Sequence, residues 1–221
     1  MKRVISFSLW GNVPLYIEGA VANVKLRDEF YPGWICRFYV DETTVPSSTL
    51  EELSSISDVE IIRMGHAADV LGMYWRFRVM FDDSAIERFI VRDTDSKFHA
   101  REAEAVEEWV QSGLPFHIMR DSISHSIPIL GGTWGAVPGC IPHFWEMMNS
   151  WLSSLIPIQR NPRGLFHGTD QLFLAKCVWP VIKDNHMAHI QRGIENIRFT
   201  PNDKYFPSPI GADGHHVGAV W

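Results

Sequence analysis

A single α/β domain, built on a mostly parallel sheet flanked by helices with a smaller mixed C-terminal part, is what this sequence predicts. Three observations carry that expectation. Short apolar runs rich in β-branched residues alternate with amphipathic stretches through the N-terminal half, the pattern of parallel strands joined by crossover helices. The chain has 221 residues, enough for one sizeable domain and few for two. Its hydrophobic fraction of 46% and aromatic fraction of 12% provide a full core and exclude a disordered polymer.

The elements follow in order. Val4 to Leu9 reads as a first buried strand, broken by Gly11-Asn12-Val13-Pro14. Tyr16 to Phe30 has helical spacing through Ile17, Ala20, Val21, Val24 and Leu26 and is stopped by Tyr31-Pro32-Gly33. Trp34 to Val40 is a second strand, and Ser48-Thr49-Leu50-Glu51 has the form of a capping box that starts a short helix. Val59 to Ile62 is a third strand, and Ala67 to Phe81 is expected to be helical. Arg88 to Arg92 is the fourth strand, delivering Asp93-Thr94-Asp95 at its C-terminal end. A helix over Ala100 to Ser112, closed by Gly113, and a strand from Phe116 to Met119 complete the regular part. Beyond Arg120 the pattern loosens. Pro128 to Gly135 looks like a strand interrupted by Gly131-Gly132. Ile141 to Leu155 and Thr169 to Trp179 read as helices, the second capped by Thr169 or Asp170, and a Pro- and Gly-rich tail follows from Thr200.

Charge and cysteine usage narrow the function classes. The formal net charge is −6 with no basic run, so the clustered Lys and Arg of a nucleic-acid surface are missing. Three widely spaced cysteines, Cys36, Cys140 and Cys177, make neither a metal cluster nor a disulfide framework, so a reducing compartment is the default. Met1-Lys2-Arg3-Val4 runs directly into a strand, without a cleavable leader. No apolar run reaches the length of a membrane span. A soluble, cytoplasmic protein is expected, with peripheral membrane attachment through a partner left open.

The segment Arg88-Phe89-Ile90-Val91-Arg92-Asp93-Thr94-Asp95-Ser96 carries the strongest chemical signal. Open α/β sheets bind ligands at the C-terminal ends of their strands. In extended backbone residues i and i+2 point to one side, so Asp93 and Asp95 converge. Two carboxylates brought together are unfavourable unless a cation lies between them, and hard oxygen ligands with open positions suit Mg²⁺ or Mn²⁺. A solvated acidic turn is the plainer alternative for so short a motif.

Other features fall in a suggestive order around it. A polar turn with Trp10, Gly11, Asn12 and then Tyr16 follows the first strand. The Gly131-Gly132 pair comes after the Asp-x-Asp, Gly168-Thr169-Asp170-Gln171 opens a helix, and His215-His216-Val217-Gly218 lies near the end. In this order the chain resembles the nucleotide-sugar glycosyltransferases of the A-type fold. Within them it is most similar to the group of glycogenin and the lipopolysaccharide galactosyltransferases, over nearly the whole chain from Val4 to Gly218. The resemblance implies a metal-dependent transfer of a sugar from a nucleotide-diphosphate sugar, a UDP-sugar above all, to a carbohydrate acceptor, with retention of configuration. It implies Mn²⁺ (or Mg²⁺) held by Asp93, Asp95 and His215, the last through an H-x-x-G ending. Ser8, Leu9, Asn12, Tyr16, Arg76, Asp93 and Gly132 would surround the donor, and Asp170 and Gln171 would act on its sugar. Residues 1–120 would then be the nucleotide-binding half and 121–221 the sugar and acceptor half. The chain departs from the family at Ala219-Val220-Trp221, where a lysine usually closes over the phosphates.

Each residue also has a plainer reading. Asn12 and Tyr16 fit as turn residues, Arg76 as a side chain snorkelling past an aromatic face, Asp170 as an N-cap, and the two glycines as a bulge. His99, His117, His125, His143, His167, His186 and His189 show no metal-ligand spacing, and Trp109, Trp145 and Trp151 read as core. Asp121 is an alternative base. A sugar nucleotidyltransferase is the competing enzyme class, although Leu9-Trp10-Gly11-Asn12-Val13-Pro14 lacks that class's basic, Gly-rich phosphate loop. A non-catalytic nucleotide-sugar or carbohydrate-binding module is the competing reading outside enzymes.

Overall fold

Eight strands share one sheet in the computed structural model, which describes residues 1–66, 69–159, 168–211 and 214–220. The chain runs through β1 (Lys2–Leu9), α1 (Pro14–Phe30), β2 (Ile35–Val40), α2 (Ser47–Ser55) and β3 (Val59–Arg63). A 3₁₀ segment (Asp69–Met80), β4 (Ile86–Arg92), α3 (Ala100–Ser112), β5 (Phe116–Arg120) and β6 (Thr133–Ala136) come next. The rest comprises α4 (Phe144–Gln159), α5 (Thr169–Phe173), a π turn (Leu174–Val178), α6 (Trp179–Ile182), β7 (Met187–Ile190) and β8 (Lys204–Tyr205). Spatial order is β3-β2-β1-β4-β6-β5-β7-β8. Among the described residues only β6 runs against its neighbours, pairing antiparallel with β4 and β5, while the other pairs are parallel. The ends of β1, β4 and β5 therefore open on one edge.

Both faces of the sheet are covered, which is why its strands read as nearly continuous apolar runs. Val4, Phe89, Val91, Phe116, Ile118 and Trp134 pack with residues of the 3₁₀ segment, α4 and α5. Ile5, Phe7, Leu9, Phe38, Ile90 and Met119 pack on the other face with residues of α1, α2 and α3. Each such fully buried aliphatic or aromatic side chain contributes ~1.5–3 kcal/mol. Gly113, at φ 72, ends α3 in the left-handed conformation.

Several local expectations are corrected. Pro46 precedes the first residue of α2 and no side chain caps it, so Ser48 and Glu51 form no capping box. The stretch expected as a helix from Ala67 to Phe81 is 3₁₀ over Asp69–Met80, with residues 67 and 68 outside the described residues. Gly131 and Gly132 precede β6 and do not interrupt it. Gly168, at φ 93, precedes α5, and neither Thr169 nor Asp170 caps it with a side chain. Trp109 is core, but Trp145 is exposed. His167 lies outside the described residues.

Candidate active site

The position of Arg76 begins with two serines. Alternation along β1 sends Ile5, Phe7 and Leu9 to one face and Ser6 and Ser8 to the other. Ser6 Oγ donates to the Arg76 carbonyl at 2.7 Å, the Arg76 N–H donates to Ser8 Oγ at 2.9 Å, and Ser8 Oγ donates to the Met73 carbonyl at 3.3 Å. A 3₁₀ run this long is uncommon, and these bonds fix its middle against the sheet. Arg76 is thereby held over the end of β4, buried, where Nη1 pairs with Asp93 and Nη2 donates to Asp170 Oδ2 at 2.8 Å.

Asp93-Thr94-Asp95 is held from both sides. Asn23 of α1, fully buried, donates from Nδ2 to the Thr94 and Ser96 carbonyls at 3.3 and 2.9 Å and accepts from the Phe98 N–H. Arg92, also fully buried, pairs with Glu102 at 3.0 Å and donates to the Gly132 carbonyl at 3.1 Å. Gly132 in turn lies directly against Asp93. A Cβ there would overlap the Asp93 carboxylate, and one on Gly131 would meet Asp170 and stand 2.7 Å from Arg76 Nη2. The glycine pair makes room for the chain's own charged side chains, which corrects the reading of these residues as a strand bulge.

Gly168 ends the approach to α5 so that Asp170 enters the first turn buried, with Oδ1 accepting the Gln171 N–H at 2.9 Å. Burial pushes the Asp170 carboxyl above its usual range, against the opposing pull of Arg76. Burial and then the charge of Asp93 push Asp95 up as well. Tyr16 is raised by burial and then by Asp95 and Asp93. Arg76 stays firmly charged: burial opposes the charge, but Asp93 and Asp170 outweigh it. The result is a pocket of concentrated negative potential with one embedded guanidinium.

A cavity of about 400 Å³ collects these groups, lined by Ser8, Leu9, Trp10, Tyr16, Met73, Arg76, Asp93, Asp95, Asp170 and Gln171, among others. Leu9, Trp10 and Tyr16 supply an apolar and aromatic part of its lining and Asp93, Asp95 and Asp170 an acidic part, with Tyr16 within electrostatic reach of Asp95 and Asp93. Of the residues singled out from sequence, Ser8, Leu9, Tyr16, Arg76, Asp93, Asp95, Asp170 and Gln171 meet here, with Gly132 behind Asp93. Asn12 is not among the lining residues. His215 lines a separate cleft with His125 and His216. Asp121 is sealed: Arg101 grips both its oxygens at 2.9 and 2.7 Å, and the Val217 N–H donates to it at 3.0 Å. That excludes Asp121 as a base.

Sequence reasoning missed Ser6, Asn23 and Arg92. Their signal was a polar residue inside an otherwise apolar face, legible only once its partner is known. As for a cation, Asp93 and Asp95 are hard oxygen donors of the kind that suits Mg²⁺ or Mn²⁺, and burial first and the charge of Asp93 second raise the Asp95 carboxyl. Among the described residues no three His, Cys, Asp or Glu side chains are grouped to hold a metal.

No family model matches the sequence, nor does any curated protein. Solved structures do match. The galactosyltransferase LgtC, in complex with donor and acceptor sugar analogues, superposes with a TM-score of 0.54 at 10% identity, over 94% of this chain and 88% of that one. A glycosyltransferase involved in glycosylation of the major capsid of PBCV-1 gives 0.50 at 12% identity, over 86% and 82%. The mannosyltransferase PcManGT from Pyrobaculum calidifontis, in complex with GDP-Man and Mn²⁺, gives 0.51 at 13% identity, over 96% of this chain and 58% of that one. The chain has the A-type glycosyltransferase fold. Among the described residues no helix is long and apolar enough to cross a membrane.

Proposed function

We propose that this protein is a divalent-metal-dependent glycosyltransferase that moves a sugar from a nucleotide-diphosphate sugar, a UDP-sugar first among them, to a carbohydrate hydroxyl. The carrying observation is the convergence of Arg76, Asp93, Asp95, Asp170 and Gln171 on one cavity at the C-terminal edge of the sheet, within a fold shared with glycosyltransferases. In this reading residues 1–120 supply the nucleotide half and 121–221 the sugar and acceptor half of one domain.

The apolar part of the lining, Leu9, Trp10 and Tyr16, receives the nucleoside, and the acidic part receives the diphosphate end. Asp93 and Asp95 would hold Mn²⁺ or Mg²⁺. The ion would supply electrophilic stabilisation of the leaving diphosphate. His215 is a proposed third ligand that would have to leave its own cleft to join them. Arg76, kept charged by its partners, adds a fixed positive charge where negative charge builds on the leaving group. Asp170 and Gln171 face the donor sugar and stabilise the positive character that develops at its anomeric carbon. Retention is the stereochemistry we propose. Among the described residues lining the cavity there is no histidine, and Asp170 is tied to Arg76 and not free to deprotonate an incoming hydroxyl.

Thermal-shift titration with UDP- and GDP-sugars, with Mn²⁺ and with chelator, tests this directly. A ligand at 100 times its Kd stabilises by about 2.7 kcal/mol. A shift that requires both nucleotide-sugar and metal is expected, followed by release of nucleoside diphosphate. No response to any nucleotide-sugar overturns the reading. Pyrophosphate released from a nucleoside triphosphate and a sugar 1-phosphate, in place of nucleoside diphosphate from the nucleotide-sugar, would assign a nucleotidyltransferase.

A further inference from the structure

The second cleft at the same edge is separate from the donor cavity, and its chemistry is different. It measures about 540 Å³ and is lined by Ser124, His125 and the tail residues Gly214, His215, His216, Gly218, Ala219 and Val220. The loop after β5 gives its floor and the tail its wall. The wall is anchored downstream of His215: the Val217 side chain is fully buried, the Val217 N–H donates to Asp121, and Val220 forms an antiparallel bridge with Ser96, the residue after Asp95. Gly218, at φ 83, passes close to Thr133, so that an added Cβ would stand 3.0 Å from its Cγ2. The cleft thus lies across the tail from the Asp-x-Asp turn.

Its hydrogen-bonding character follows from two rings. His125 is nine-tenths buried, and its Nδ1 accepts the Asp121 N–H at 2.9 Å. Nδ1 therefore carries no proton, and Nε2 is a donor in the neutral ring. His216 Nδ1 donates to the Val217 carbonyl at 3.0 Å, which leaves its Nε2 as an acceptor. The rings stand 5.0 Å apart at 86°. Ser124 adds a hydroxyl, 2.9 Å from that of Ser122. Among the described residues no Lys, Arg, Asp or Glu lines the cleft, and the nearby Asp121 carboxylate is already engaged by Arg101 and Val217.

One ring donor and one ring acceptor, on imidazoles 5.0 Å apart in a cleft whose described lining has no Lys, Arg, Asp or Glu, match a group that both gives and takes a hydrogen bond. Hydroxyls do this, and a ligand rich in them is a neutral saccharide. We propose that the His125–His216 cleft binds a neutral saccharide, the non-reacting part of the acceptor. Its assignment to the acceptor rests on the proposed transferase reading. The saccharide specificity rests on the cleft alone.

The test is ¹H–¹³C NMR of the histidine rings, titrated with lactose, maltose and methyl α-mannopyranoside in the absence of nucleotide. Saturable shifts of the His125 and His216 signals are expected with at least one of these sugars. His125→Asn keeps an acceptor for the Asp121 N–H and removes the Nε2 donor, and His216→Ala removes the acceptor. Each variant should weaken binding roughly fivefold, the worth of one hydrogen bond. His216→Ala lies in the tail and keeps the test valid if His125→Asn does not fold. Absence of saturable shifts with all three sugars overturns the inference. So does unchanged affinity in a folded variant, or a preference for glucuronate over the neutral sugars. Nucleotide-sugar thermal shifts measured alongside separate the two proposals. A saccharide response without a nucleotide-sugar response keeps the cleft and fails the transferase reading, and the converse result fails the cleft alone.

Discussion

Arg76→Met is the most informative single change, because the guanidinium holds two carboxylates and only one of them has access to water. Asp170 is almost wholly buried and Asp93 is about half exposed, with side chains 4% and 45% accessible. Breaking a buried ion pair by removing one partner costs ~3–5 kcal/mol, whereas a pair with an exposed member is worth at most ~1 kcal/mol. The loss should therefore come chiefly from Asp170. Methionine fills most of the vacated volume, and the Ser6 and Ser8 bonds go to the Arg76 backbone and survive. We expect a destabilisation of about 3 kcal/mol at neutral pH, or about 6–12 °C in Tm for a chain of this size.

The pH dependence identifies the cause. Burial already raises the folded-state pKa of Asp170, and Arg76 is the strongest influence holding it down. Without Arg76 that pKa rises further, while the unfolded carboxyl titrates near its ordinary value of about 3.9. Between the two values the native state binds a proton that the unfolded state does not, so stability falls as pH rises through that window. The deficit of Arg76→Met should be small near the ordinary carboxylate pKa and complete above the raised one. Adding Asp170→Asn removes the stranded charge and should recover most of the loss. Calorimetric melts of wild type and both variants across that range check this. An equal deficit at both ends, or no recovery in the double variant, would refute the charge argument and leave packing as the cause.

Three further outcomes are expected. Asp95→Ala should leave the unliganded fold intact, since burial and Asp93 already disfavour its charge, while abolishing any metal-dependent stabilisation by nucleotide-sugar; a persistent metal-dependent shift counts against the ligand assignment. Gly132→Ala should displace the Asp93 carboxylate and weaken the nucleotide-sugar response more than it lowers the unliganded Tm; the same thermal-shift series reads both. Asp203 pairs with Arg120 and accepts the Phe199 N–H at 2.9 Å; burial opposes its charge, but His186 and Arg120 hold its carboxyl well below the usual range. That stability is present above the ordinary carboxylate pKa and is lost as pH falls through the depressed one, so Asp203→Asn should lose about 3 kcal/mol at neutral pH and flatten the acid limb of the melting curve.

What was legible in the sequence was what local physics decides. The strands from Val4 to Leu9 and from Arg88 to Arg92 are buried on both faces because both faces are covered, and their short runs of apolar and β-branched residues show a strand without the fold. Gly113 marks the end of α3 because a left-handed residue is needed there. The Ser48–Glu51 capping box was misleading for the same reason: the motif is local, but the helix already starts at Ser47, with Pro46 at the cap position. The segment after β3 was legible as helical, but its 3₁₀ geometry was not. Its geometry is tied to Ser6 and Ser8, some seventy positions away in sequence, and no periodicity within residues 69–80 records that.

The candidate site divides along the same line. Asp93 and Asp95 were visible because a strand end brings residues i and i+2 together. Asp170 could be suspected only as a cap or by resemblance, since nothing in Gly168-Thr169-Asp170-Gln171 says what lies opposite. What lies opposite is Arg76, which itself read equally well as a snorkelling side chain. Each was ambiguous alone, and the fold resolves both by placing them 2.8 Å apart. The glycine pair completes the argument. Its two residues read as a bulge, yet the space their missing side chains leave is occupied by Asp93, Asp170 and Arg76. A Cβ at either position would overlap the carboxylates and guanidinium as they stand, so Gly131 and Gly132 are as necessary to this arrangement as the charges they accommodate.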